Sequence, residues 1–296
     1  MKPTAHLIDG SLYVFRAWFS HPDNSAGADG APVNAVHGFT RFLLDLLERE
    51  RPSHIAVAFD ESLTTSFRNA IYPAYKANRE AAPLELLQQF AWCKQVSTAL
   101  GITVLADSNY EADDLIGSAL TMLRAEGFRS VIVSADKDFG QLIGDGDEQW
   151  DPQRNLRWDA AGVKSRLGVH PRQVADYLAL TGDAIDNIPG VPGIGAKTAA
   201  ILLHHFATLD ALLARADEVA FLRTRGAAAA SMRLREHADM ARLSRSLTGI
   251  ALDAPVPASA DDYRRKPLDG AIDELFERMR FGPLTRARVR ALTGGG

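Results

Sequence analysis

The residues of this chain best suited to chemistry are acids placed where apolar runs stop. Three such runs end in aspartate: His6-Leu7-Ile8-Asp9-Gly10, Val57-Ala58-Phe59-Asp60, and Val131-Ile132-Val133-Ser134-Ala135-Asp136-Lys137-Asp138. In open α/β sheets, ligands bind at the carboxyl ends of the strands, where these acids would converge. Any one of them could equally cap a helix or start a turn; three together favour a shared site. A fourth motif, Glu111-Ala112-Asp113-Asp114, precedes the helical run at 115–123. Acids in a first turn also complement the helix dipole, so this motif alone is weak. A fifth, Gly182-Asp183-Ala184-Ile185-Asp186-Asn187, puts two carboxylates three residues apart on one side of a turn, where an Asx cap is the alternative.

Gathered in one cleft without compensation, Asp9, Asp60, Glu111, Asp113, Asp114, Asp136, Asp138, Asp183 and Asp186 would raise one another's pKa values and strain the fold. Hard divalent cations such as Mg²⁺ resolve that conflict, and no Cys/His spacing suggests zinc. Two ions roughly 4 Å apart are the usual arrangement for phosphodiester cleavage. The stretch Gly190-Val191-Pro192-Gly193-Ile194-Gly195-Ala196-Lys197-Thr198 is a glycine-rich turn entering a helix, which lets backbone N–H groups approach a phosphate. It is no P-loop, since Ala196 separates Gly195 from Lys197; a plain helix-turn-helix is the bland alternative. An aspartyl phosphatase is set aside because Leu7 stands where its second aspartate is needed.

The elements that must carry these residues follow from periodicity. Short apolar runs at 6–8, 55–59, 103–105 and 131–134 alternate with amphipathic segments such as 39–50, which predicts an α/β fold with a mainly parallel central sheet and crossover helices. After Asp159 the runs become Ala-, Leu- and Arg-rich, at 174–180, 197–206 and 227–247, which predicts a smaller helical domain. Residues 20–32 read as a mobile loop and 254–260 as an extended connector. With 296 residues, 46% hydrophobic, the chain can bury a sizeable core. Its net charge of −4 is unlike that of most nucleic-acid binders. Many of the acids fall in the metal-type motifs, however, while Arg and Lys gather at 68–79, 223–245 and 264–290. A single cysteine, Cys93, excludes an internal disulfide framework. With no signal-type or bilayer-length apolar stretch, a cytoplasmic protein without membrane contact is expected.

At this point the ordered motifs resemble the 5′-nuclease or flap endonuclease family, which includes the N-terminal domain of bacterial DNA polymerase I. The carriers are Leu7-Ile8-Asp9-Gly10-Ser11, Phe67-Arg68 with Tyr75-Lys76-Ala77-Asn78-Arg79, Glu111 to Asp114, Ala135 to Asp138, and Gly182 through Gly195. The resemblance implies a PIN-like nuclease core with a helical arch over 1–168, the arch including 72–83, and a helical DNA-binding domain with a helix-hairpin-helix over 169–296. It implies one Mg²⁺ at Asp9, Asp60, Glu111, Asp113 and Asp114, and a second at Asp136, Asp138, Asp183 and Asp186. Mn²⁺ would substitute, and K⁺ is a further ion for the hairpin. Lys76 and Arg79 would hold the scissile phosphate, Tyr75 would stack on a terminal base, and Arg16 and Arg68 would add charge nearby. Gly190, Gly193, Ile194, Gly195, Lys197 and Thr198 would meet duplex DNA. The expected activity is a 5′-3′ exonuclease and structure-specific flap endonuclease acting on 5′ ends, flaps or nicks. The chain is expected to be a monomer with a functional link to DNA polymerase I, either free-standing or an isolated domain. Two alternatives stay open: a non-catalytic branched-DNA binder, and an RNA-directed nuclease of related fold.

Overall fold

In the computed structural model, which describes residues 2–20, 25–61 and 65–292, the four apolar runs expected as strands are strands. They are β1 (Thr4–Asp9), β2 (His54–Asp60), β3 (Thr103–Asp107) and β4 (Arg129–Val133). All pair in parallel, in the order β3-β2-β1-β4. Strands buried on both faces need no polar alternation, and accordingly Leu7, Ile8, Ile55, Val57, Phe59, Ile132 and Val133 are all fully buried. Parallel pairing aligns the strand ends, so that Asp60 lies in register with Asp107 and Asp9 with Ala58.

These strands belong to the first of two units, comprising Met1–Glu61, Ala81–Ser134 and Leu252–Gly296. Its helices Gly10–Ser20, Asn34–Glu50, Leu84–Ala99 and Ala112–Ala125 flank the sheet. The first starts directly after Asp9 and lies so close to β2 that a Cβ on Gly10 would stand 2.7 Å from the Ala58 carbonyl oxygen. Only glycine fits there. The last segment of the chain also belongs to this unit: Lys266 N–H donates to Gly101 O (2.9 Å), and Arg288 pairs with Glu48 and Asp45 at 2.7 and 2.6 Å. The basic run at 286–290 is therefore anchored at Arg288. Of the expected mobile loop at 20–32, residues 21–24 lie outside the described residues. The remainder is tied down, with Gly27 N–H donating to Ala31 O and Ala28 N–H to Arg278 O, both at 2.8 Å.

The second unit comprises Ser62–Glu80 and Ala135–Ala251. It holds the antiparallel pair β5 (Glu148–Asp151) and β6 (Leu156–Trp158), which periodicity did not single out. Its helices include Val174–Thr181, Ala196–Phe206, Ala227–Glu236 and Ala238–Thr248. The expected run at 227–247 is thus two helices broken at His237, with neither Gly nor Pro to mark the break. Residues 72–80 form successive turns rather than an arch helix. Among the described residues, no helix is long and apolar enough to cross a membrane.

Candidate active site

In the first unit, Asp9 and Asp60 end adjacent parallel strands, and each is held by a serine. Ser134 Oγ donates to Asp9 Oδ2 (2.8 Å), while Asp60 N–H donates to Ser11 Oγ (2.8 Å). The Asp60 Oδ1 atom accepts from Ala112 N–H (2.9 Å), which sets Asp60 against the start of the helix Ala112–Ala125. There Glu111, Asp113 and Asp114 bring carboxylate oxygens within 4.8 Å of one another. An all-oxygen, acidic donor set of this kind suits a hard divalent cation. The capping alternative holds in part for Asp114, which is fully buried and whose Oδ2 accepts from Glu111 N–H at 3.0 Å.

The second unit carries the other four acids, with Lys137 among them. Lys137 Nζ lies 2.5 Å from Asp183 Oδ2 and 3.7 Å from Asp138 Oδ1. Desolvation pushes the Lys137 ammonium down, but the carboxylates of Asp138, Asp183 and Asp136 outweigh it and hold its pKa above the ordinary value. Asp183 has the converse balance: desolvation raises it, and the bond from Lys137 holds it below the usual carboxylate range. Asp138 is pushed up to about 8, by desolvation first and then by Asp136. Its Oδ1 is buried with no hydrogen-bond partner among the described residues. A buried acceptor without a donor is costly in water-free surroundings, and a cation would satisfy it. Asp136, although it keeps an exposed edge, is also raised, by desolvation first and then by Asp186 and Asp183.

Several expected DNA contacts prove to be internal. Tyr75, 3% exposed, packs in an apolar cluster with Ile188 and Leu247, so its ring is unavailable for base stacking. Arg68 is buried and donates from Nε to Leu247 O (2.9 Å) and from Nη2 to Gly249 O (2.8 Å), a role that sequence spacing had no means of revealing. Arg79 pairs with Asp186, and Lys76 N–H donates to Asp186 O (3.0 Å), so residues 76–79 are latched to the acidic loop. Gly190 N–H is taken by Ser244 Oγ (3.1 Å) and Ile194 N–H by Val191 O (3.0 Å); neither is free for phosphate. Gly193, Gly195 and Lys197 remain exposed, Thr198 is half-buried, and Arg16 is half-buried with its guanidinium 5.4 Å from the Tyr13 ring. Replacing Arg68 by Ala strands two carbonyls, at a cost of about 2–4 kcal/mol. A fall in melting temperature of roughly 5–10 °C is expected, only partly recovered by Arg68→Lys; unchanged melting would rule out the structural role.

Residues 4–168 match the family model described as 5′-3′ exonuclease, N-terminal resolvase-like domain, and residues 169–271 that described as 5′-3′ exonuclease, C-terminal SAM fold. DNA polymerase I of Rhizobium leguminosarum is 38% identical over 301 residues, 98% of this chain and 29% of the relative. That of Mycobacterium tuberculosis (strain ATCC 25618 / H37Rv) is 38% identical over 303 residues, all of this chain and 32% of the relative. The chain thus spans about three-tenths of the length of these polymerases. Among solved structures, T5 5′-exonuclease with zinc bound superposes with a TM-score of 0.67 at 15% identity, covering 98% of both chains. The catalytic core of Rad2 in complex with DNA substrate gives 0.67 at 12%, covering 98% of this chain and 93% of that one. At such identities these two establish the fold alone. The two family models, which together cover residues 4–271, establish that the chain belongs to the 5′-3′ exonuclease family of hydrolytic nucleases.

Proposed function

We propose that this chain hydrolyses DNA phosphodiesters at free 5′ ends, flaps and nicks, as a structure-specific nuclease assisted by two divalent ions, Mg²⁺ by preference. The observation that carries the reading is the cluster of Glu111, Asp113 and Asp114 beside Asp60, at the carboxyl end of a parallel sheet in a chain of this family. Asp9, Asp60, Glu111 and Asp113 would hold one ion, with Asp114 serving mainly to fix the helix start. Asp136, Asp138, Asp183 and Asp186 would hold the other. The ions would supply an activated water and neutralise charge on the departing oxygen. Ser134 and Ser11 fix the positions of Asp9 and Asp60, so that neither need reorganise. Lys76 would hold the scissile phosphate from its place beside the acidic loop, and Arg79 would join it once released from Asp186. Gly193, Gly195, Lys197 and Thr198 would bind a duplex phosphate at a helix N-terminus, with K⁺ as a further ion there. We propose a division of labour in which 1–168 form the nuclease core and 169–296 the duplex grip, with Asp183 and Asp186 of the latter completing the second ion site, in a monomer able to serve a polymerase fused or separate.

A 5′-labelled flap duplex, incubated with Mg²⁺ or with EDTA, tests this directly. Short labelled products ending in a 3′-hydroxyl are expected with Mg²⁺ alone. Intact substrate under both conditions, with binding preserved, would leave a branched-DNA binder; cleavage confined to RNA flaps would replace DNA by RNA as the substrate.

A further inference from the structure

We propose that Arg233, Arg223 and Arg225 form a second row of phosphate contacts, extending the glycine hairpin along one strand of a DNA duplex. This rests on the reading of the chain as a DNA nuclease and goes beyond the hairpin itself. Arg233 sits on the helix Ala227–Glu236 and lies against the hairpin: its Nη1 donates to Gly193 O at 3.3 Å. A Cβ added to Gly193 would stand 1.9 Å from the same Nη1. Arg233 thus adds its charge to the hairpin's surface at the exposed Gly193, four residues before the exposed Lys197. At Gly195 that surface is open, with nothing within 4 Å of an added Cβ.

The geometry of the helix carries this surface onward. Gly226, its N-cap with φ of +80°, precedes Arg233 by seven residues. Seven residues make nearly two turns, so both lie on one face about 10 Å apart. A DNA strand carries one charge per 3.4 Å of axis, so that distance spans roughly three phosphates. Of the positions between them, Ala229 is half-buried and Ala230 buried, so neither adds a side chain to the surface. Just before Gly226 stand Arg223 and Arg225, both exposed, neither with an ion pair or hydrogen bond from its side chain among the described residues. The nearby acids do not neutralise them, because Asp217 pairs with Arg235 (2.8 Å) and Glu218 with Arg215 (2.5 Å). Two exposed guanidinium groups just before the N-terminus of the helix that bears Arg233 suit a polyanion whose charges repeat.

The test is binding of a fluorescent 5′-flap duplex in EDTA, followed by anisotropy from about 50 to 300 mM salt. For the double variant Arg223→Ala/Arg225→Ala, the slope of log affinity against log salt should fall by roughly 1–2, since each phosphate contact contributes about 0.9. Arg233→Ala should lower it by roughly 1, Arg233→Lys should keep most of it, and Arg215→Ala, whose charge Glu218 already holds, should keep all of it. A wild-type slope in the Arg223/Arg225 variant overturns the proposal whatever Arg233→Ala does, because these loop residues carry no structural bond to lose. Gly195→Asp separates the two levels. If it weakens binding while the arginine variants behave as wild type, only the extension fails. If wild type itself binds duplex without salt dependence and Gly195→Asp costs nothing, the DNA-binding reading fails with it.

Discussion

Asp138→Asn should cut turnover by roughly 10³-fold, about 4 kcal/mol of lost transition-state stabilisation, while duplex affinity stays within about twofold. The substitution keeps shape and removes charge. In the structure, Asp138 Oδ1 is buried without a donor, 3.7 Å from Lys137 Nζ, so it makes no neutral contact that the amide would break. What it would lose is attraction for a cation, and the grip on DNA rests on other residues. Asp113→Asn in the first unit should have a comparable effect, since its carboxylate belongs to the cluster with Glu111 and Asp114. Asp114→Asn should behave differently, lowering the melting temperature as well as turnover, because its Oδ2 accepts the Glu111 N–H. Single-turnover cleavage with saturating enzyme, alongside anisotropy in EDTA, measures both quantities. Near-wild-type cleavage by Asp138→Asn would remove it from the metal site.

Without metal, stability in EDTA should fall as pH rises from 5 to 8, and Asp138→Asn should abolish much of that fall. The Asp138 carboxyl is pushed up to about 8, so between the ordinary value near 3.9 and that point the folded chain holds a proton the unfolded chain has released. Whenever the folded state binds more protons, stability declines with rising pH. Asp183 is held low and Lys137 high, so both stay charged across this window and add little slope. The gap between variant and wild type should widen steadily from pH 5 to pH 8 and close only near pH 4, where the unfolded carboxyl keeps its proton as well. By pH 8 the variant should be the more stable by about 1–3 kcal/mol, or roughly 3–8 °C in a chain of this size. Mg²⁺ binds only the folded acids and should raise the wild-type melting temperature at pH 8, but that of the variant far less. A difference between the two proteins that is flat with pH would show that Asp138 ionises normally.

The strand runs, and the acids at or just beyond their ends, were legible because parallel strands read as unbroken apolar stretches and because three such stretches ending in acids favour a shared site over three separate caps. Asp9, Asp60 and the Glu111 to Asp114 motif could be named from order and residue type alone, and so could the glycine hairpin. What the order of residues could not carry is which polar groups are spent on partners distant in the chain. Arg68 meets carbonyls 179 and 181 residues away, and Tyr75 packs on Ile188 and Leu247, so both looked like binding residues until their partners were seen. Arg79 is paired with Asp186, 107 residues on; Ser134 supports Asp9 across 125 positions. A local pattern records how a segment can bury its own faces, and so it determined the strands, most of the helices and the inventory of acids. Burial, pairing and the shift of Asp138 arise only when segments remote in sequence displace water from one another, and those the tertiary structure alone decided.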